Sequence, residues 1–157
     1  MLHLLFVTAC AGAARGLTAR EYEAQLAQME GGFDALRDGR GAEAVRTFSA
    51  VATALEAHVA SGAPPPPRLS DPDGAPHHPR QTLAMCAFNL ANALLLERDV
   101  AGAEVQLRRA LDPAAELKHS VRAMTHFFLG DIALQRGRPL AAVRALRRGR
   151  ADDASQD

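Results

Sequence analysis

The chain is predicted to be all-α, built from antiparallel helix hairpins repeated about three times. Two observations carry that reading. Three stretches align when Gly32, Ala91 and Gly130 are superposed: GGFDALRDGRGAEAVRTFSAV, LANALLLERDVAGAEVQLRRA and LGDIALQRGRPLAAVRALRRG. Each places a small residue in a first helix and a tight turn at Gly39, Arg98 or Gly137. A second helix then carries Ala44, Ala103 or Ala142, with Phe48, Leu107 or Leu146 four residues on. Small residues at a crossing let two helices approach, and larger ones fill the gaps beside it. Composition agrees. One tyrosine, no tryptophan and six phenylalanines suit strands poorly, whereas the dominant alanine and leucine favour helix.

The first helix opens at a capping box, Thr18-Ala19-Arg20-Glu21, with Leu17 and Tyr22 placed as a hydrophobic staple. It runs to about Asp38, with Tyr22, Leu26, Met29, Phe33 and Leu36 on one stripe, and Gly39 stops it. A second helix covers about Ala42 to Ala60, with Val45, Phe48, Ala52, Leu55 and Val59 inward, so residues 17–60 form the first pair. Residues 61–80 hold seven of the nine prolines, including four in a row, and read as a solvated linker of polyproline II character. The second and third pairs occupy residues 81–150. The third helix spans about Gln81 to Glu97, with Leu83, Ala87, Leu90 and Leu94 inward, and the fourth about Ala101 to Leu111. Asp112-Pro113 suits the start of a short turn. A fifth helix runs from about Ser120 to Gln135, and Pro139 opens a sixth that carries Leu140, Val143 and Leu146 to about Arg150. The tail 151–157 is polar and expected to fray.

Residues 1–16 fall outside this grammar. Leu2 to Ala9 is a short apolar run, and Val7-Thr8-Ala9-Cys10 looks like the lipobox of a bacterial lipoprotein, with Cys10 the lipidated residue. Ala11-Gly12-Ala13 would also serve as a small-residue cleavage site. Against export, no Lys or Arg precedes the run, and the run is short. Export or lipid anchoring through Cys10 and retention in the cytoplasm both stay open, the second favoured. No stretch reaches the roughly 20 apolar residues that cross a bilayer.

Function classes can be narrowed. The formal net charge is zero, so no bulk field draws the chain to nucleic acid or membrane. Cys86 lies in an apolar helical pattern, where a thiol behaves as a small core residue, and no disulfide with Cys10 is expected. His58, His119 and His126 have no serine or cysteine at catalytic spacing, and GGFDALRDGRG lacks the lysine and hydroxyl of a phosphate loop. His77-His78 has no carboxylate or cysteine cluster beside it. The expectation is a binding protein with no catalytic residues, metal or cofactor.

The hairpin grammar resembles the tetratricopeptide (TPR) repeat, a helix-turn-helix unit of about 34 residues. The likeness covers roughly residues 22–150. It is interrupted by the linker and by an insertion at Asp112–His119, which makes the last two units 39 residues apart. The bulky first-helix position of the family motif is replaced by Gln28, Ala87 and His126. The resemblance implies an α-solenoid whose first helices line a concave groove for a partner peptide or helix. Carried over position by position, the groove takes Leu26, Met29 and Phe33 from the first unit. The second adds Met85, Phe88, Asn89 and Asn92, and the third Met124, Phe127 and Asp131. Asn89 matches one asparagine of the family's carboxylate clamp, but Met124 and Phe128 stand where its basic residues belong, so a C-terminal carboxylate is not the implied ligand.

A rival reading rests on charge. Arg136, Arg138, Arg144, Arg147, Arg148 and Arg150 crowd residues 132–151, which contain no acid. Arg144, Arg147 and Arg148 share a helical face that would meet nucleic acid or an acidic partner; the favoured alternative is a solvated capping helix salt-linked to Asp152 and Asp153.

Overall fold

The computed structural model describes residues 15–66, 78–115 and 117–154. Among the described residues there are six α-helices, one short 3-10 turn and no strand. The helices are α1 (Ala19–Arg37), α2 (Gly41–Ala60), α3 (Pro79–Leu96), α4 (Val100–Ala110), α5 (His119–Gln135) and α6 (Pro139–Ala154), with the turn at Pro113–Ala115. The expected features of residues 1–14, 67–77 of the proline-rich linker, and 155–157 lie outside the described residues.

The capping box forms as expected: the Glu21 N–H donates to Thr18 Oγ1 at 3.2 Å, and the Thr18 N–H donates to Glu21 Oε2 at 2.8 Å. Just before it, the Leu17 N–H donates to Nδ1 of His58, a histidine of α2 that is only 1% exposed. Pro79, assigned above to the linker, begins α3 instead, because a first-turn position has no hydrogen bond for its missing N–H to break.

α1 and α2, α3 and α4, and α5 and α6 pack as pairs, and α2 and α4 also pack on α3 and α5 respectively. The three turns inside the pairs have one geometry. The Gly39 N–H donates to Leu36 O and the Arg40 N–H to Ala35 O; Arg98 and Asp99 repeat this on Leu95 and Leu94, and Gly137 and Arg138 on Leu134 and Ala133. This is the Schellman arrangement, which needs a left-handed residue after the C-cap. Gly39, Arg98 and Gly137 have φ of 72°, 61° and 66°. Only the middle turn places a side chain in that conformation.

Packing inside the pairs follows the small-against-large rule. A methyl group on Gly32 would lie 2.8 Å from Phe48 Cζ, and one on Gly130 would lie 2.9 Å from Leu146 Cδ2. Ala91 and Leu107, their counterparts in the middle pair, are both fully buried in one cluster. Two clusters make up the core. Tyr22, Phe48, Val51, Leu55, Cys86 and Leu90 anchor the first, and Phe88, Leu107, Leu117 and Ile132 the second. Tyr22 also shares a 2.6 Å hydrogen bond with Thr82 across α1 and α3. Cys86 donates its thiol to Phe48 O at 3.2 Å, and burial pushes the thiol pKa up to about 12. It is an inert core group.

Leu140, Val143 and Leu146 of α6 are 78%, 45% and 38% exposed: α6 meets α5 through Ala142, Gly149 and the part of Leu146 that lies against Gly130. α6 also continues past Arg150 to Ala154, with Asp152 bound to Arg122 at 3.3 Å.

Two predictions follow from this packing. Arg98→Gly should raise stability by up to about 1 kcal/mol, whereas Gly39→Ala should lower it by about 1 kcal/mol, although both act at the same place in equivalent turns. Urea denaturation of the two variants shows whether the signs differ. Ala103 is fully buried and Ala114 is exposed. Ala103→Leu should therefore cost about 1–3 kcal/mol by overpacking, and Ala114→Leu close to nothing.

Candidate partner-binding surface

α1, α3 and α5 are the first members of their pairs, and they share an apolar cleft. Leu26 and Met29 of α1, Met85 of α3, and Leu117 and Val121 around the start of α5 form most of its wall. Gln81, Thr82 and Lys118 supply its polar rim, and its volume is about 320 Å³. The periodicity of α1 and α3 explains how Leu26, Met29 and Met85 reach this face. Leu117 and Lys118 were not legible, because the insertion that carries them has no counterpart in the other pairs, and Val121 of α5 follows directly on it.

A second concavity of about 330 Å³ lies farther along α5, among Met124, Phe127, Phe128 and Asp131. Here the side chains are open to solvent: Met124 is 46% and Phe127 41% exposed. The Phe127 ring lies close against the backbone of Gly149 on α6.

The ten expected groove residues therefore divide. Leu26, Met85 and Asn92 are half-buried, and Met124, Phe127 and Asp131 are exposed. Met29, Phe88 and Asn89 are buried, and Phe33 packs edge-on against Phe48 at 5.5 Å. Phe88 and Phe127, matched in the sequence alignment, are not in matching surroundings. Phe88 is 6% exposed because Phe128 of α5 stands 6.0 Å from its ring. Phe127 meets the backbone of Gly149 on α6 with one edge of its ring and stays 41% exposed. The Asn89 amide donates to Met85 O at 2.7 Å and is occupied within its own helix.

The arginine face also divides. Arg144 and Arg148 line a cleft between α4 and α6, and Arg147 is not part of it. At one edge of that cleft His126 is 8% exposed, with Nε2 3.5 Å from Asp152 Oδ2. Burial holds the His126 pKa below its usual value, and the nearby Asp152 carboxylate works against that shift.

Among the described residues, no group of three or more His, Cys, Asp or Glu side chains could hold a metal ion. No described helix is long and apolar enough to cross a membrane.

The contrast between the two aromatic residues is testable. Phe88→Ala should cost about 3–5 kcal/mol, as for a truncated core aromatic, and Phe127→Ala about 1 kcal/mol. Thermal melting of each variant measures the difference; equal losses would place both rings in one environment.

No protein-family model, curated protein or solved structure matches this chain.

Proposed function

We propose that the chain is a TPR-like scaffold that holds an apolar helix or peptide of a partner protein against the face formed by α1, α3 and α5. The cleft of Leu26, Met29, Met85, Leu117 and Val121, leading toward exposed Met124 and Phe127, is the observation that carries this reading. Its volume falls at the small end of ligand sites, about 300–1,000 Å³, which suits one or two anchoring side chains. Thioether side chains adapt to apolar partners of varied shape, and an aromatic ring adds contact area. Three like turns and the recurrent small-against-large contacts support a stack of three repeated units behind that face.

A photo-crosslinking amino acid at Gln81 or Met124 should capture a discrete partner in cells. The same group at Thr53, exposed on α2, should not. Met85→Glu should abolish the adduct from Gln81 while leaving helicity intact, since a carboxylate in an apolar cleft is poorly compensated. Equal capture from both positions, or an adduct that survives Met85→Glu, rejects the assignment.

A further inference from the structure

The geometry points to a second binding site, in the arginine-lined cleft between α4 and α6, for an acidic segment of a partner protein. It uses other residues than the first-helix face, so either assignment can fail alone.

The cleft has a volume of about 390 Å³. Five arginines line it against a single acid, Glu104. That carboxylate is already clamped: it pairs with Arg108 one turn along α4, at 2.5 Å, and with Arg136 at the end of α5. Arg138, Arg144 and Arg148 remain, and none of them has an ion-pair partner among the described residues. Asp152, which touches the cleft residue His126, is bound by Arg122 of α5. Three like charges are thus gathered at one concavity of a chain whose net charge is zero.

Their spacing selects a linear ligand. A rise of about 1.5 Å per residue puts Arg144 and Arg148 roughly 6 Å apart along α6, and Arg138 to Arg148 spans roughly 15 Å. Planar guanidinium forks match carboxylates in two-point contacts, and within the protein the Glu104 carboxylate already takes one contact from each of two arginines.

The floor selects the chemistry between the charges. Leu111, Leu129, Ala133, Ala141 and Ala145 are aliphatic, and no Phe, Tyr or Trp lines the cleft. Nucleic acid at such a surface would gain phosphate contacts, but the one ring in the lining, His126, is only 8% exposed and leaves little face on which to stack a base. Aliphatic side chains interspersed with acids would instead fill the floor and meet the arginines together. The fitting partner is a segment in which Asp or Glu alternates with Leu-like residues.

The test uses the full chain and a fluorescein-labelled peptide of four consecutive Glu-Leu-Glu triplets, read by fluorescence anisotropy. The peptide should bind, and raising NaCl from about 50 to about 300 mM should weaken it. Arg144→Glu with Arg148→Glu should reduce affinity by about tenfold or more with no change in melting, since both side chains are exposed. Glu104→Gln should tighten binding by about threefold by releasing Arg108 and Arg136, a gain that an unfolded variant cannot imitate. Met85→Glu, on the first-helix face, should leave the peptide affinity unchanged. Absence of binding, equal binding by the double arginine variant, or no gain from Glu104→Gln overturns the site. So does an oligothymidylate that binds more tightly than the peptide and is lost in the same arginine variant, which would make the cleft a nucleic-acid surface.

Discussion

Close approach of helix backbones is the constraint on which the structure rests. With six phenylalanines and no tryptophan, the chain fills its interior largely with alanine and leucine. A small side chain buries little area, so an alanine-rich core coheres only when its helices are near enough for many dispersion contacts. The ring of Phe48 lies against the backbone at Gly32, and Leu146 does the same at Gly130. The left-handed turns set the same approach by returning each second helix directly onto the first.

Polar side chains join elements that the apolar contacts alone would leave loosely aligned. His58 accepts from the Leu17 backbone and anchors the lead-in to α1 on α2, and Tyr22 with Thr82 joins α1 to α3. Glu104 bridges α4 to the end of α5, and Arg109 reaches Glu56 of α2 at 2.6 Å. The buried members of this set fix orientation, since an unmade hydrogen bond there would cost more than a made one contributes. The exposed Arg109–Glu56 pair adds little stability of its own. Its value is geometric, because it links the second helices of adjacent pairs.

These constraints leave two surfaces of opposite character. On the α1–α3–α5 side, apolar side chains remain where the first helices diverge around the Asp112–Lys118 connection, and Leu117 closes the cleft. Between α4 and α6, one glutamate is taken up by two arginines, and three others face a largely aliphatic floor. A scaffold with both surfaces could read apolar and acidic features of its ligands separately. That combination follows from the proposals above and gives them a physical basis for specificity.

Local chemistry in the sequence was enough to determine the class of fold, the six helices, the capping box and the positions of the three turns. Caps, turn residues and small-residue spacing act over a few residues, so each is legible without knowledge of its neighbours in space. The tertiary structure decided which apolar side chains are interior. Phe88 and Phe127 occupy equivalent places in the alignment, yet the Phe128 ring of α5 helps bury the first, whereas the second lies against Gly149 of α6 and stays 41% exposed. Leu140 and Val143 of α6 are 78% and 45% exposed, whereas Leu146 on the same helix lies against Gly130 of α5. The buried role of His58 and the arrival of Leu117 and Val121 at the cleft likewise depend on segments distant in sequence. Periodicity states that a helix has an apolar face; only the arrangement of the other helices determines whether that face is buried or left for a partner.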